Sequence, residues 1–302
     1  MELKGIIPAA VCPMTHDFYP DLDSYAEYIT WLLQFDIGGI AVNVDTGEAP
    51  QLSTKEMNNV LTTCVETAGG SVPIIAGITA RYTKEAISQV KDVKECGADA
   101  ILVFSPPVFS GKIPPSDIAV TYYTDLASVG VPMVIFQLSY EFGGAEFSQE
   151  TLQKMIDIQE VVAIKEASFN IRKFMETVHT VKTSSRHIFL LTGNDHFIFE
   201  SLLLGAHGGL LGLSSMSPGL HVQLYNAVKQ KKYEKALEIK EKIDVLAHTI
   251  YARPFRDYRT RAKEALVMQG AIPAAYVRPP LLPINKKEKE SIKAALTEIG
   301  LL

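Results

Sequence analysis

Residues 132–166 read PMVIFQLSYEFGGAEFSQETLQKMIDIQEVVAIKE, and this stretch shows the unit from which the chain is built. Pro132–Gln137 and Val161–Glu166 are short apolar runs rich in β-branched residues, which is typical of strands buried on both faces. Between them, Ser148–Ile158 has the composition and length of an amphipathic helix. The stretch therefore predicts two parallel strands joined by a helical crossover.

The same alternation continues in both directions along the chain. Further strand-like runs occur at Gly5–Val11, Gly39–Val44, Pro73–Ile78, Ala100–Phe104, Ile188–Thr192 and Gly209–Leu213. Further helix-like stretches occur at Leu22–Asp36, Ser53–Ala68, Thr83–Cys96, Ser116–Val129, Asn170–Val181, His196–Leu204 and Pro218–Lys229. Eight strand–helix units in one chain predict a closed (β/α)8 barrel of the TIM type, within the α/β class.

About seventy residues follow the eighth unit, and they also have helical patterns. These are Tyr233–Tyr251, Tyr258–Gln269 and Lys286–Leu302. No linker rich in Ser and Gly separates them from the preceding residues. We therefore expect a barrel over residues 1–230 and C-terminal helices over residues 231–302 that pack on it, as one structural domain.

Composition excludes several classes of protein. The chain has 302 residues, and 29 basic minus 34 acidic residues give a net charge of −5. A mildly acidic chain without a basic stripe argues against a nucleic-acid partner. No apolar run reaches the roughly 18 residues of a membrane helix, so we expect no membrane partner. The three cysteines are widely spaced, which favours a reducing compartment and a cytoplasmic location.

Lys165 is the first candidate for chemistry, because it ends the apolar run that begins at Val161. Alternation along a strand places Val161, Ala163 and Lys165 on one face, and Val162 and Ile164 on the other. If the bulkier pair faces the helices, Lys165 points into the barrel mouth, where burial would free its amine to attack a carbonyl. The alternative is a solvated lysine, or one paired with a carboxylate.

Two polar turns are further candidates. Asp45, Thr46 and Gly47 directly follow the second strand, and a hydroxyl beside backbone N–H groups can hold a carboxylate. Ser214 follows the eighth strand and could hold a polar part of a substrate. The histidines form neither an H-x-H nor an H-E-x-x-H pattern, and no glycine-rich nucleotide motif follows a strand. We therefore predict neither a metal site nor a separate cofactor.

Several of these segments together resemble the dihydrodipicolinate synthase / N-acetylneuraminate lyase family of class I aldolases. The family's G-T-T-G-E turn corresponds to residues 44–48, VDTGE, and its G-I-K-E segment to residues 163–166, AIKE. Its G-(D/N)-D motif corresponds to residues 193–195, GND, and its G-x-x-G-x-(I/L) stretch to residues 205–210, GAHGGL. The similarity extends over nearly the whole chain.

The resemblance implies a lyase that forms an imine between Lys165 and pyruvate or a related 2-oxo acid, without a cofactor. It further implies that Thr46 and the backbone of Gly47 bind the substrate carboxylate. Gly193 and Leu210, which lie in the matching motifs, become candidates for substrate contacts. Members of the family are homotetramers built from dimers, so we expect a homotetramer or a homodimer.

Some positions depart from the family pattern. The strand-five tyrosine that relays protons is Phe136 here, and the arginine that binds a second carboxylate in lysine-pathway synthases is Glu141. Asp45 replaces the first threonine of the turn, and Val108 stands where the synthase has a tyrosine that crosses the dimer interface. These differences argue against lysine biosynthesis.

An active enzyme would need another proton carrier. Asp45 is the leading candidate, followed by Tyr140 and then Tyr19, both in loops. The aromatic and basic segment 251–259 could line the pocket and bind the carboxylate of an acid sugar, or could be a surface connection. Two alternatives to an aldolase or dehydratase stay open: a non-catalytic barrel that binds a 2-oxo acid, and a divergent 4-hydroxy-tetrahydrodipicolinate synthase.

Overall fold

Eight parallel strands form the centre of the protein, in a computed structural model that describes residues 1–111 and 113–302. The strands are β1 Gly5–Pro8, β2 Ile40–Val42, β3 Ile74–Ile78, β4 Ala100–Val103, β5 Met133–Leu138, β6 Val161–Ala167, β7 Phe189–Thr192 and β8 Gly208–Leu211. Each strand from β2 to β7 pairs with the next strand in sequence, and β8 also pairs with β1. A parallel bridge between Ala9 and Ala41 joins the β1 and β2 ends, so the sheet closes into the predicted barrel.

Eight helices surround the strands, one after each strand. They are α1 Leu22–Leu32, α2 Thr54–Ala68, α3 Thr83–Glu95, α4 Ser116–Ala127, α5 Gln149–Ile156, α6 Ile171–Thr183, α7 Ile198–Leu204 and α8 Pro218–Lys229. The C-terminal helices are α9 Tyr233–Ile250, α10 Tyr258–Met268 and α11 Lys286–Glu298. Within residues 1–111 and 113–302, no helix combines the length and the apolar character needed to cross a membrane.

Apolar side chains pack in two layers, one inside the barrel and one between the strands and the helices. On β6, Ala163 and Ala167 belong to the inner layer, whereas Ile164 faces the helices as alternation predicts. At the start of β6 the predicted alternation is wrong, because Val161 packs in the outer layer and Val162 packs against the inner layer. The pairing of β5 with β6 skips Val162, and this bulge resets which residues point inward before Lys165 is reached.

The C-terminal helices reach the mouth of the barrel through an ion pair that is buried on both sides. The ammonium group of Lys263, on α10, contacts the carboxylate of Glu48 in the turn after β2, and neither side chain is exposed. Lys263 also donates to the carbonyl of Tyr276 at 2.7 Å, and the Arg278 amide donates to Glu48 at 3.0 Å. These bonds fix α10 against the strand-two turn.

Candidate active site

A cavity of about 260 Å³ opens at the carboxyl ends of the strands. The barrel contributes side chains from its strands and loops, and the C-terminal extension contributes the segment between α9 and α10. The lining includes Asp45, Thr46, Phe104, Phe136, Leu138, Phe142, Lys165, Phe169, Gly193, Asp195, Leu210, Tyr251, Phe255 and Tyr258. The site is therefore shared between barrel and extension, at the end where (β/α)8 enzymes hold their catalytic residues.

Lys165 projects from β6 into this cavity, and only 9% of the residue is exposed. Burial lowers the pKa of its amine to about 8, although the carboxylates of Asp195 and Asp45 partly oppose this change. The lowered pKa leaves a much larger fraction of this amine neutral at pH 7 than in an ordinary lysine, whose pKa is about 10.4. The position and the pKa both suit a nucleophilic amine.

Two neighbours define the surroundings of the lysine. A Cβ atom added at Gly193 would lie 2.8 Å from Cε of Lys165, so the absence of a side chain there makes room for the lysine. The Nζ atom of Lys165 lies 4.2 Å from the centre of the Phe136 ring. Gly193 thus shapes the path of the lysine, and Phe136 covers the amine with a ring that has no proton to give.

The turn after β2 presents Thr46 to the cavity. Asp45–Gly47 form a single 3-10 turn, and Thr46 is buried within it. The amide of Gly47 donates to the carbonyl of Val44 at 3.0 Å, and a Cβ atom at Gly47 would lie 2.9 Å from the carbonyl oxygen of Ala10. The glycine amide is therefore engaged inside the turn, and its missing side chain permits close approach to the end of β1.

Asp45 is held by two consecutive residues of the C-terminal extension. Tyr258 donates its hydroxyl to Oδ2 of Asp45 at 2.6 Å, and the guanidinium of Arg259 pairs with Oδ1. Arg259 also donates from Nε to the backbone carbonyl of Asp45 at 2.9 Å. Burial and then the adjacent Asp45 carboxylate raise the pKa of Tyr258 well above its ordinary value, while the Thr46 hydroxyl opposes that rise. Tyr258 is therefore protonated and serves as a donor.

A second pair of a tyrosine and a carboxylate, Tyr251 and Asp195, lines the same cavity as Lys165. Tyr251 donates its hydroxyl to Oδ2 of Asp195 at 3.0 Å, and Oδ1 of Asp195 accepts from the Leu213 amide at 3.1 Å. Burial raises the pKa of Asp195, and the charge of Lys165 is one of the influences that lower it. In the sequence Asp195 stands out only as part of the GND motif at residues 193–195, whereas its side chain lines the cavity that contains Lys165.

Some predicted site residues lie elsewhere. Tyr140 is 51% exposed, because the 3-10 turn Tyr140–Phe142 directs Phe142 rather than Tyr140 to the cavity. Ser214 is fully buried and donates its hydroxyl to the carbonyl of Leu211 at 3.0 Å, so it belongs to the turn after β8 rather than to the cavity lining. Tyr19 is exposed beside Arg278. Leu210, in contrast, lines the cavity from β8.

The segment 251–259 is part of the site, but it contributes aromatic side chains to the cavity rather than basic ones. Tyr251, Phe255 and Tyr258 line the cavity, whereas Arg259 is paired with Asp45. Arg256 pairs with the neighbouring Asp257. The geometry therefore does not support the prediction that an arginine of this segment binds a substrate carboxylate. The guanidinium of Arg259, which faces the barrel, is already paired with the carboxylate of Asp45.

Comparison with known proteins identifies what the chain is similar to. A model of the dihydrodipicolinate synthetase family matches residues 2–299. An uncharacterised DapA-like lyase of Thermofilum pendens is 28% identical, with 96% of this chain and 97% of that protein covered. A structure of a monomeric dihydrodipicolinate synthase variant has a TM-score of 0.91 at 26% identity, with 99% and 97% of the two chains covered. The pyruvate complex of a chloride-inhibited dihydrodipicolinate synthase from Acinetobacter baumannii has a TM-score of 0.87 at 25% identity, with both chains fully covered.

Proposed function

We propose, because this chain belongs to the dihydrodipicolinate synthetase family, that Lys165 forms an imine with pyruvate or a closely related 2-oxo acid. The chain is an enzyme of the class I aldolase type. The observation that carries the proposal is the amine itself, which is buried in the cavity at the mouth of the barrel with a pKa lowered to about 8. The substrate reacts directly with this side chain, so the proposal includes no cofactor.

The proposed reaction begins when neutral Nζ of Lys165 attacks C2 of the 2-oxo acid. Loss of water from the resulting carbinolamine gives the imine, and loss of a proton from C3 gives an enamine. In condensation, C3 of the enamine forms a bond to the carbonyl carbon of a second reactant, whose oxygen takes up a proton. In cleavage, the C3–C4 bond of a 4-hydroxy-2-oxo acid breaks, and water then releases pyruvate from the lysine. A dehydratase would instead remove a proton from C3 of the imine of such a 4-hydroxy acid and expel the C4 hydroxyl group as water, and hydrolysis of the resulting unsaturated imine would free the lysine.

Thr46 is the proposed partner of the substrate carboxylate. Its side chain is buried and faces the cavity that contains Lys165. A hydroxyl that donates to a carboxylate fixes one end of a 2-oxo acid, and this places the adjacent carbonyl group for attack. Gly193 and Leu210 complete this half of the proposed site from the cavity lining, and Gly47 contributes to it by forming the turn that presents Thr46.

Asp45 and Tyr258 form the proposed proton carrier in place of the family tyrosine, whose position is occupied by Phe136. In the cleavage direction, the C4 hydroxyl of the substrate gives its proton to the Tyr258 oxygen while Tyr258 gives its own proton to Asp45. The hydrogen bond of 2.6 Å between Tyr258 and Asp45 supports this transfer. The proton returns by the same path when the enamine is protonated at C3.

The finer proposal is that the reaction lies outside lysine biosynthesis. Glu141 is exposed and acidic at the loop position where the resemblance places an arginine for a second carboxylate. Phe136 and Val108 stand at the two positions where the resemblance expects the tyrosines of the proton relay, and neither side chain has a hydroxyl group. Failure of the gene to rescue a diaminopimelate auxotroph is the expected result, and rescue would restore the synthase reading.

Location and assembly belong to the same proposal. We expect a cytoplasmic enzyme, since Cys12, Cys64 and Cys96 are all free thiols. The resemblance favours a homotetramer or a homodimer. Light scattering during size-exclusion chromatography would test this, and a single species with the mass of one chain would contradict it.

Borohydride trapping tests the central step. The protein is incubated with pyruvate and borohydride, and its mass and the modified peptide are determined. We expect one adduct on Lys165, none in Lys165→Ala, and an unchanged adduct in the matched control Lys154→Ala, whose lysine is on the surface. An adduct on another lysine would refute the assignment of Lys165, and no adduct with any 2-oxo acid would refute the imine mechanism.

A further inference from the structure

We infer that the second half of the cavity accepts an uncharged apolar or aromatic group on the carbon that reacts with the enamine, rather than a second carboxylate or a polyhydroxylated chain. This inference rests on the proposed function, because it concerns the substituent at C4 of a 4-hydroxy-2-oxo acid whose C2 is bound to Lys165. It depends on the charges and the aromatic side chains that surround the lysine.

The balance of charges in the cavity disfavours a second carboxylate. Among the described residues that line the cavity, Lys165 is the only cation, and the imine uses its nitrogen. Two carboxylates, Asp45 and Asp195, line the same space. Another anionic group on the substrate would be removed from water next to these acids without a cation of its own, which is unfavourable.

Arg259 does not offer this missing cation. Its Nη2 atom pairs with the Asp45 carboxylate, its Nε atom donates to the Asp45 carbonyl at 2.9 Å, and Nη1 donates to the carbonyl of Arg256 at 3.4 Å. All three nitrogen atoms of the guanidinium therefore have protein acceptors. Arg259 is thus held against Asp45, and it is not among the described residues that line the cavity.

An aromatic wall, formed by Phe142, Phe169, Tyr251 and Phe255, covers one side of the cavity. The ring of Phe142 lies 5.2 Å from Phe169 and 4.7 Å from Phe255, and Phe255 stacks on Tyr251 at 5.4 Å, all measured between ring centres. Such distances allow another ring to join the group in an edge or offset arrangement. The wall thus presents a continuous apolar surface built from two barrel loops and the C-terminal extension.

Phe142 leaves part of this apolar surface open to water. It lines the cavity and yet is 41% exposed, which leaves a large apolar ring partly in water. Covering that ring with an apolar group of the substrate would remove the contact with water and favour binding. A hydroxylated chain in the same place would lose hydrogen bonds to water and find aromatic carbon instead.

The phenols of the lining compensate for only part of that loss, because their protons are already donated and their oxygens can act only as acceptors. Tyr251 is bonded to Asp195 and Tyr258 to Asp45, so each phenol already has an acceptor. Size is compatible with a ring, since the cavity of about 260 Å³ exceeds the cavity of about 150 Å³ that holds benzene. A phenyl-sized group can therefore lie beside the three-carbon pyruvoyl part.

The test uses three 4-hydroxy-2-oxo acids that differ only in the substituent at C4: a phenyl group, a carboxylate, or a polyhydroxyalkyl chain. Pyruvate release is followed with lactate dehydrogenase, and the products are examined by NMR so that cleavage and dehydration are both counted. We expect kcat/KM for the phenyl compound to exceed each of the others at least about tenfold. Equal values, or preference for either other compound, would overturn the inference.

Variants on one loop test whether the wall sets this preference. Phe142→Arg should lower the phenyl-to-carboxylate ratio of kcat/KM at least about tenfold, because it adds a cation to the wall. Tyr140→Arg is the matched control, since it adds the same charge two residues away and outside the cavity lining. An equal change in both variants would refute the role of the wall.

Pyruvate trapping on the same samples separates the two proposals. If the Lys165 adduct forms and the carboxylate compound is nevertheless preferred, the inference about the second half of the cavity is wrong and the imine mechanism stands. If no adduct forms with any 2-oxo acid, the proposed function itself is wrong.

Discussion

The ring centre of Phe136 lies 4.2 Å from Nζ of Lys165, and the two residues are paired across β5 and β6. Phe104 packs edge-on against the same ring at 5.0 Å between centres. The amine is therefore covered by carbon at the position where the family resemblance expects a phenol. Any proton that the reaction needs must come from another side of the cavity.

Phe136→Tyr is expected to give no large gain in turnover. The new hydroxyl would lack the threonine and the tyrosine that partner it in the family pattern, because Asp45 and Val108 occupy those positions. A buried hydroxyl without a partner costs about 1–3 kcal/mol. Steady-state pyruvate release from the best of the three test substrates measures the effect. A gain of about a hundredfold would show that the original relay can be restored and that the proposed carrier is unnecessary.

Asp45→Asn and Tyr258→Phe should each lower kcat by about 10²–10⁴, the usual contribution of a positioned proton donor or acceptor. Both changes interrupt the same proton transfer, because an asparagine amide cannot take up the tyrosine proton and phenylalanine has none to give, so the double variant should lose little more than either single variant. Tyr140→Phe is the control for removal of a phenol outside the cavity lining. Full activity in Asp45→Asn would exclude the Asp45 and Tyr258 carrier.

Thr46→Val should weaken binding of the 2-oxo acid about ten- to a hundredfold. Its hydroxyl bond to a carboxylate would be worth about 1.5–3 kcal/mol, and valine keeps the shape of the side chain. The pyruvate concentration that half-saturates imine trapping gives the affinity, and an unchanged melting temperature shows that the fold is intact. Equal affinity in the two proteins would remove Thr46 from the carboxylate site.

The rate of imine formation should rise with pH and level off above about pH 8. The pKa of Lys165 is lowered to about 8, so the amine is protonated and inactive below that pH and nucleophilic above it. Cyanoborohydride trapping over a pH series measures this profile. Asp195→Asn should move the midpoint to lower pH, since the Asp195 carboxylate favours the protonated lysine. A midpoint near that of an ordinary lysine would contradict the effect of burial.

Glu48→Gln should lower the free energy of unfolding by about 3–5 kcal/mol, because it leaves the fully buried Lys263 charge without its carboxylate. Urea unfolding followed by circular dichroism measures the change. Glu290→Gln is the control, since its pair with Lys286 is on the surface and its loss should not be detectable. Equal stability of Glu48→Gln and the parent protein would show that the buried pair is not needed.

Local patterns were sufficient to predict the barrel. Every predicted strand and helix overlaps an observed one, because short β-branched runs and amphipathic stretches are encoded by neighbouring residues. The inward position of Lys165 was also predicted, although for a partly wrong reason. Counting alternate residues from Val161 ignores the bulge at Val162, which a single sequence does not reveal.

The site was less predictable, because its polar groups are paired by distant parts of the chain. Asp45 could be recognised as unusual, but its partners Tyr258 and Arg259 are 213 and 214 residues away. Phe142 rather than Tyr140 faces the cavity because of the direction of one 3-10 turn. Ser214 is turned away from the cavity, and its hydroxyl donates to the carbonyl of Leu211. Such choices arise from tertiary packing rather than from local preference.

The separation of these partners also determines when the site is completed during synthesis. A ribosome makes Asp45 and Glu48 early, whereas Tyr258 and Lys263 emerge 213 and 215 residues after them. Until then, a nascent chain contains every barrel strand and Lys165, but Asp45 lacks its partner Tyr258 and Glu48 lacks its partner Lys263. The cavity therefore acquires its full lining and its buried ion pair only after residues 251–263 have been made, and a chain interrupted before them would expose an unfinished pocket.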